Sequence, residues 1–436
     1  MEVKRRLHRG ANRNPLIGRY VENDLPFPRV VETHVTHVKL KSIALAVTFV
    51  LAAAGCGGGS GDKDTSRGTT VAGEDGAPSV TVTPGDGSAG VRPDSRVAVS
   101  VGNGTLSQVS VRSGGASVAG GFSAGRTGWK AKRGLKPGAS YEVTASATGK
   151  GGKTTTVTSR FRTTKGDGTL AIADITPMSD RSETIGVGMP IIVRFNRAVT
   201  DRAAVERALE VKAQKPVEGA WRWVASNQAV YRTKRYWPAH QKVRFTARLT
   251  GVAAGRNVYG AADVTRRFAI GAAQISTVDT RTHRLVMRRD GRVVRNFPIS
   301  AGRGGGPIKN GVDTFLTTTG THLVMEKKLV ETMSSRWMGV DPKDKAHGGY
   351  EEKIPYAVRI SSSGEYVHSM AATRSAQGVR NVSHGCVNSP PEEARWFYAN
   401  AHRGDVVTVT GTARGLSWTN GWSFWQLSWN AWRAKG

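Results

Sequence analysis

Short runs of β-branched and aromatic residues, each closed by a Gly, Pro or Asp turn, recur along most of this chain. Clear examples are SVTVTPGDG at 79–87, RVAVSV at 96–101 and SYEVTASAT at 140–148. Such residues favour strands, and frequent turn residues keep each strand short. With 53 glycines among 436 residues, the chain favours small β-rich domains over long helices. Because 436 residues are too many for a single ordinary hydrophobic core, we expect two to four domains.

Two consecutive segments carry this pattern without any group of chemically active residues. Residues 79–165 and residues 166–271 each predict an immunoglobulin-like β-sandwich. In the second segment, Thr200 or Asp201 can cap one short helix. Its clustered aromatic side chains could form a glycan platform, but alternating aromatics more often belong to a core, and we favour core. These aromatics are Trp221, Trp223, Tyr236 and Trp237.

A third segment, residues 272–413, is again rich in strands. Its first strands are joined by a tight turn, RDGR at 289–292. Residues 414–436 follow as a Trp-rich C-terminal subdomain. Its tryptophans recur at intervals of four and three residues, which would place them on one face of a helix. We expect this face to pack onto the third segment. The tryptophans are Trp418, Trp422, Trp425, Trp429 and Trp432.

The charge of the chain limits its partners. The net charge is +30, from 63 Lys and Arg against 33 Asp and Glu. Such an excess attracts polyanions, so anionic wall polymers or a lipid surface are possible partners. The excess is spread along the chain, as on an ordinary solvated surface, and no nucleic-acid-binding motif accompanies it, so we expect no nucleic-acid partner.

The N-terminal part of the chain carries an export signal. Residues 39–56, KLKSIALAVTFVLAAAGC, have a charged start and an apolar run that is short for a membrane span. The ending resembles the lipobox of bacterial lipoproteins, which implies lipidation of Cys56. Secretion with simple cleavage and an uncleaved anchor are the alternatives. All three predict export, to the outer face of the cytoplasmic membrane and the cell wall.

The residues on either side of the signal have no core pattern. Residues 1–38 form a polar, Arg-rich N-terminal extension, and translation beginning near Val38 is one interpretation. Residues 57–78 are rich in Gly, Ser, Thr and Asp, which predicts a flexible linker. A lipid, a tether and folded domains would hold a protein at the membrane while it reaches into the wall.

The second cysteine, Cys386, lies in VSHGCVNSP at 382–390. An isolated cysteine is usually a small buried apolar residue. An unpaired thiol in an exported protein suggests instead a reactive role, and a nearby imidazole can activate it. His384 and His368 are both available. Gly385 allows a sharp turn that points successive N–H groups at one place, as an oxyanion hole requires.

The sequence after Cys386 predicts a helix. In SPPEEARWFYANAHRGD at 389–405, Ser389 suits the N-cap, Pro390 the first position and Glu392 a capping box. The positive end of this helix would then favour a thiolate at Cys386.

The motif HS at 368–369 followed by SHGCVN at 383–388 resembles that of the L,D-transpeptidase catalytic domain, the YkuD-type fold. The whole layout is similar to mycobacterial-type, lipoprotein-like members with two immunoglobulin-like domains. The resemblance implies a mainly β protein whose catalytic domain carries one well-marked helix. It also implies a lid over about residues 323–356, in which Trp337 and Met338 depart from close relatives.

The resemblance implies a role for each motif residue. Cys386 would be the nucleophile and His368 the base, oriented by the carbonyl of Ser369. Backbone N–H groups of the SHGC turn would form the oxyanion hole, namely those of His384, Gly385 and Cys386. Further residues would contact substrate, namely Tyr350, Ser363, Gly364, Ser383 and Asn388.

The implied reaction is acyl transfer on peptidoglycan tetrapeptide stems. D-alanine is released, and the thioester passes to a second stem to give a three-to-three cross-link. Carbapenem-class β-lactams are the expected inhibitors, and no cofactor or metal is expected. The alternatives are L,D-carboxypeptidase activity at the same site and a non-catalytic wall-binding lipoprotein. A Cys–His wall hydrolase of another family would need a histidine after the cysteine, where only His402 is available.

Overall fold

A computed structural model of the protein describes residues 68–71, 76–178, 183–347 and 349–434, which all fall within one unit, Lys63–Gly436. The described residues are mainly strands with few helices, so the predicted fold class is confirmed. No helix within these ranges is long and apolar enough to cross a membrane. The predicted extension, export signal and Cys56 lie outside the described residues.

The first β-sandwich packs two sheets around a core that includes Val82, Leu106, Trp129 and Phe161. Its sheets have the orders β1-β2-β3-β7-β6 and β5-β4-β8-β9. The strands are β1 (Thr69–Val71), β2 (Ser79–Thr83), β3 (Ala98–Gly102), β4 (Gly104–Ser113), β5 (Ala116–Ser117), β6 (Gly120–Phe122), β7 (Gly128–Ala131), β8 (Ser140–Gly149) and β9 (Thr154–Arg162).

The predicted linker extends too far at its C-terminal end. Thr69–Val71 form the edge strand β1, which pairs with Val80–Val82 of β2. An edge strand gains its hydrogen bonds from one backbone neighbour, so it needs no apolar pattern. Val71 is accordingly 40% exposed. Because such a strand carries no apolar pattern, its composition could not be told from that of a flexible linker.

The second β-sandwich pairs a sheet of order β11-β13-β16-β15 with one of order β12-β20-β17-β14. Asp201 caps the short helix α1 by accepting from the Ala204 N–H, as predicted. Trp237 is buried in the core, and the other three aromatics pack against it, so they are core residues. The elements are β10 (Gly168–Leu170), β11 (Ile172–Thr176), β12 (Thr184–Ile185), β13 (Ile191–Phe195), α1 (Arg202–Arg207), β14 (Leu209–Ala213), β15 (Gly219–Ala225), β16 (Gln228–Thr233), β17 (Gln241–Ala247), β18 (Ala253–Gly255), β19 (Val258–Gly260) and β20 (Val264–Ile270).

The third segment contains sheets of order β23-β22-β21-β31-β26 and β27-β28-β29-β30. Asp290 and Gly291 take positive φ at the predicted tight turn between β22 and β23. The elements are β21 (Gln274–Asp279), β22 (Arg284–Arg289), β23 (Arg292–Pro298), β24 (Ile308–Lys309), β25 (Val312–Asp313), β26 (Gly320–Leu323), β27 (Glu326–Ser334), β28 (Glu351–Arg359), β29 (Tyr366–Ser369), β30 (Val387–Ser389), α2 (Pro391–Asn400) and β31 (Val406–Thr410). Helix α3 (Trp429–Arg433) follows in the Trp-rich subdomain.

The start of helix α2 differs from the prediction. Its N-cap is Pro390, no side chain caps it, and Pro391 is its first residue. Ser389 instead ends strand β30, where it pairs with Ser369 and is fully buried. The expected capping box is therefore wrong, because the parallel ladder holds Ser389 in an extended conformation.

The Trp-rich subdomain is not one helix, and the predicted single tryptophan face is wrong. Apart from α3 and a short 3-10 turn at Phe424–Gln426, it is irregular. Phe424 and Trp432 pack with Ile192 and Val230 of the second sandwich. Trp422 lies against Arg403, and Gln426 donates to the Thr321 carbonyl, so the subdomain also packs onto the third segment as expected. The buried Arg232 guanidinium holds the contact with the second sandwich, with three indole rings 4.8–5.7 Å from its carbon.

Candidate active site

Two neighbouring parallel strands bring the motif residues together. In the ladder between β29 and β30, Val367 pairs with Val387 and His368 with Asn388. Cys386 directly precedes β30, and side chains alternate along a strand, so an extended continuation of β30 would turn Cys386 to the face of Asn388 and of its partner His368. The thirteen residues between the two motifs, 370–382, thus belong to a crossover between adjacent strands.

The hydrogen bond of His368 fixes its tautomer. This side chain is 2% exposed, and its Nδ1 lies 2.9 Å from the carbonyl oxygen of Ser369. A carbonyl only accepts, so Nδ1 carries the proton and Nε2 keeps its lone pair. Burial lowers the pKa of His368 to about 4, against a smaller opposing effect of the Ser369 bond. The imidazole is therefore neutral at physiological pH.

Cys386 is likewise neutral. Burial raises the pKa of its thiol to about 12, and the charge of Glu365 adds to this, while the Tyr366 N–H acts in the opposite direction. The thiol donates to the carbonyl oxygen of Gly364, at an S···O distance of 3.6 Å. The expectation of a thiolate favoured by the helix is not met, because strand β30 separates Cys386 from α2 and desolvation dominates.

The turn before Cys386 is held by two hydroxyl groups. Ser383 Oγ accepts from the Gly385 N–H at 3.1 Å and donates to the Cys386 carbonyl at 2.6 Å. Thr317 Oγ1 donates to the Gly385 carbonyl at 2.8 Å and accepts from the Gly302 N–H at 2.9 Å. Gly385 has a φ of +130°, a value that L side chains rarely adopt.

This arrangement decides which N–H groups remain free. The Gly385 N–H is already bonded to Ser383, whereas those of His384 and Cys386 donate to no other described residue. The peptide unit is planar and trans, so the Cys386 N–H points away from the Gly385 carbonyl. By holding that carbonyl, Thr317 directs the Cys386 N–H to the opposite side.

A cavity of 310 Å³ opens beside Cys386, and several predicted residues line it, namely Tyr350, Ser363, Gly364, His384, Gly385 and Cys386. The Tyr350 ring stacks on the His384 ring, with centroids 5.5 Å apart and an interplanar angle of 5°. Trp337 Nε1 donates to the Tyr350 hydroxyl at 2.8 Å. The predicted lid segment is mostly the hairpin of β27 and β28, and Tyr350 immediately precedes β28.

Four predicted residues are outside the lining of this cavity, namely His368, Ser369, Ser383 and Asn388. Asn388 is 3% exposed, and its Nδ2 donates to Thr373 Oγ1 at 3.2 Å. Ser383 and Ser369 are also buried and use the backbone bonds given above. The structure therefore places Ser369, Ser383 and Asn388 behind the site, and His368 is buried in β29. Among the described residues, no group of three His, Cys, Asp or Glu side chains is arranged to hold a metal ion.

Sequence reasoning missed several residues around the cysteine. The carboxylate of Glu365, 4% exposed, accepts from the backbone N–H and the hydroxyl of Thr318 at 2.7–2.9 Å. His322, fully buried, lies 4.0 Å from that carboxylate. From the C-terminal subdomain, Arg414 lines the cavity and Asn420 bonds to Ser363. Glu365, a charged residue directly before the YVHS sequence of β29, was the one visible signal.

The fold and site define a β-rich domain with a cysteine–histidine pair of the kind used for acyl transfer. Family models match a bacterial Ig domain over residues 88–253 and an L,D-transpeptidase catalytic domain over residues 273–409. L,D-transpeptidase 2 of Mycobacterium tuberculosis (strain CDC 1551 / Oshkosh) is 33% identical over 402 residues, covering 90% of this chain and 94% of that protein. The chain belongs to the L,D-transpeptidase family.

The chain is also similar to two further proteins. L,D-transpeptidase 5 of Mycobacterium tuberculosis (strain ATCC 25618 / H37Rv) is 33% identical over 367 residues, covering 82% of this chain and 76% of that protein. The crystal structure of Mycobacterium tuberculosis L,D-transpeptidase 3 with a faropenem-derived adduct is 29% identical, with a TM-score of 0.44. The match covers 55% of this chain and 98% of the chain in that crystal structure.

Proposed function

We propose that this chain forms three-to-three peptidoglycan cross-links through a Cys386 acyl-enzyme on tetrapeptide stems. The observation that carries the proposal is the position of His368 on β29, next to strand β30 that begins directly after Cys386, together with a cavity that Cys386, Tyr350 and His384 line. Family membership supports the reaction class. An enzyme of a cell-wall family with a bacterial Ig domain works outside the cytoplasm.

The first half-reaction cleaves the stem. The Cys386 thiol leaves the Gly364 carbonyl and gives its proton to Nε2 of His368 as Sγ attacks the carbonyl carbon before D-alanine. The N–H groups of His384 and Cys386 stabilise the resulting oxyanion. The carbon–nitrogen bond then breaks, His368 returns the proton to the leaving amine, and a thioester remains. Because both groups begin neutral, proton transfer accompanies attack.

The second half-reaction resolves the thioester. The side-chain amine of another stem attacks the thioester carbonyl and loses a proton through His368, and Sγ departs and is reprotonated. If water attacks instead, the product is a tripeptide, which is the L,D-carboxypeptidase alternative. His402 supports no hydrolase of another type, because it follows helix α2 with its Nδ1 3.7 Å from Asp405, and no strand ladder places it next to β30 as one places His368.

Mass spectrometry of the full-length protein with a disaccharide-tetrapeptide tests this proposal. We expect an acyl-enzyme, D-alanine release and a cross-linked dimer, all lost in Cys386→Ala. His368→Gln, the matched variant, should keep the thiol but lose acylation. Tripeptide without dimer supports the carboxypeptidase, and an unchanged Cys386→Ala activity overturns the proposal. Imipenem offers a second probe, since we expect carbapenem-class β-lactams to acylate Cys386 and block turnover.

A second role, retention on an anionic wall polymer, is favoured by one surface feature. Lys212, Arg244 and Arg267 lie directly abreast on β14, β17 and β20, along one 490 Å³ groove with Lys242. Like charges abreast destabilise a sheet. Only Lys212 has an acidic partner among the described residues, Glu210 at 2.8 Å. A polymer carrying carboxylates or phosphates would offset this repulsion.

Cosedimentation with cell walls tests that role. The double variant Arg244→Gln/Arg267→Gln should bind walls several-fold more weakly, and Lys130→Gln/Lys150→Gln, which removes two exposed charges from the first sandwich, should not. Walls stripped of phosphate polymers distinguish phosphate from carboxylate, and anionic vesicles test the lipid alternative. Equal binding by both double variants would contradict the role.

We also propose a lipid anchor at Cys56, which the mass of the mature protein and of Cys56→Ala would reveal.

A further inference from the structure

The C-terminal subdomain contributes a positive charge to the cavity that holds the nucleophile. Arg414 lies beyond the last strand of the third segment, yet it lines the same cavity as Cys386 and Gly385. Its Nη1 donates to the carbonyl oxygens of Thr314 and Leu316, both at 2.9 Å. Those two bonds fix the position of the guanidinium.

This position is close to the oxyanion loop. The same two carbonyl oxygens lie 4.0 Å and 3.9 Å from the point that a Cβ on Gly385 would occupy. The N–H groups that flank Gly385 are those left free for an oxyanion. The Arg414 charge is therefore held next to the place where the reacting carbonyl must lie.

No carboxylate of the described chain forms an ion pair with Arg414, and Asp313 interacts with its charge only at longer range. The cavity's own acids are occupied, because Glu331 pairs with Lys328 at 2.7 Å and Glu365 accepts from Thr318. Asp313 uses its carboxylate on the N–H groups of Gly305, Gly306 and Phe315 and forms no ion pair with Arg414. The remaining edge of the guanidinium thus keeps donors for a ligand.

We propose that Arg414 binds a carboxylate of the donor stem and makes this enzyme selective for donors that carry it. A guanidinium edge matches a carboxylate through two parallel hydrogen bonds, and a partly enclosed site strengthens the interaction. The C-terminal D-residue carries its carboxylate two bonds from the scissile nitrogen, and a dicarboxylic diamino acid at position three carries another. This inference rests on the proposed acyl transfer by Cys386 for the position of the stem.

Binding to the Cys386→Ala full-length protein tests the inference without turnover. Calorimetry compares three tetrapeptide stems. The first has free carboxylates on the C-terminal D-residue and on the dicarboxylic diamino acid, the second is amidated at the D-residue, and the third is amidated at the diamino acid. We expect the free acid to bind about tenfold more tightly than one of the two amides, which identifies the carboxylate. Adding Arg414→Gln should reduce that ratio to about one, and Arg414→Lys should keep part of it.

The ratio separates recognition from structure, because a displaced loop would weaken acid and amide equally. Arg303→Gln is the matched control. It removes an exposed arginine whose charge acts on His384 but which is outside the lining of the cavity, and we expect the ratio to survive. The inference is overturned if the protein that keeps Arg414 binds the free acid and both amides equally, or does not bind the stem at all. It is also overturned if Arg414→Gln leaves the ratio of the affinities unchanged. Failure of the proposed function is distinct, since it appears as absent acylation of Cys386 in the enzyme with its thiol.

Discussion

The substitution Thr317→Val isolates the contribution of one buried hydroxyl to catalysis. Thr317 is fully buried, and its hydroxyl joins the Gly302 N–H to the Gly385 carbonyl. Valine keeps the shape of the side chain but leaves both backbone groups without a partner. Each such group costs about 1–3 kcal/mol, so the free energy of unfolding should fall by roughly 2–6 kcal/mol. Water entering from the cavity would favour the lower part of that range.

The effect on rate follows from the geometry of one peptide unit. Without the Thr317 bond, the Gly385 carbonyl can tilt, and the Cys386 N–H tilts with it. Removal of a whole oxyanion donor costs on the order of 10²–10³ in kcat. A tilted donor should cost less, so we expect kcat to fall about 10- to 100-fold with KM little changed. D-alanine release from a tetrapeptide measures both constants.

Two variants make the test specific. Thr317→Ser keeps the hydroxyl and should restore most of kcat. Thr319→Val removes a hydroxyl that donates to the Val409 carbonyl at 2.9 Å, without contact to Gly385. It should cost about 1 kcal/mol of stability and leave kcat within about twofold. If Thr317→Val loses stability as expected but keeps its kcat, the argument that this hydroxyl aims the oxyanion donor is refuted.

Three further predictions concern the surroundings of the site. Because burial lowers the pKa of His368 from 6.5 to about 4, protonation favours the unfolded state. The free energy of unfolding should fall as the pH drops from 6.5 towards 4, by at most about 1.4 kcal/mol per pH unit. His368→Gln should flatten this slope in denaturant titrations. Arg232→Ala should lower the free energy of unfolding by about 2–4 kcal/mol and expose the Trp-rich subdomain to limited proteolysis. The reason is that the buried guanidinium donates to the Phe424 carbonyl and contacts three indole rings. An unchanged melting temperature would contradict this. Asn420→Ala should reduce kcat/KM several-fold at nearly unchanged stability, because Asn420 holds the turn at Ser363 beside Cys386; equal losses in both quantities would indicate a purely structural role.

Local patterns were sufficient where the physics is local. Alternating strands with Gly and Asp turns predicted the β-rich fold, and the RDGR turn and the Asp201 cap were found where expected. The capping box at Ser389 failed because a parallel strand partner competed for the same residue. Strand pairing depends on a partner distant in sequence, and no local pattern reveals it.

The sequence by itself determined the residue types of the motif, the family and the approximate order of the domains. Only the tertiary structure decided the charge state of the pair, since desolvation of His368 and Cys386 depends on everything packed around them. It also decided that the C-terminal subdomain packs on the second sandwich while sending Arg414 and Asn420 to the site. Burial and proximity are sums over distant parts of the chain, so they exist only once the chain has folded.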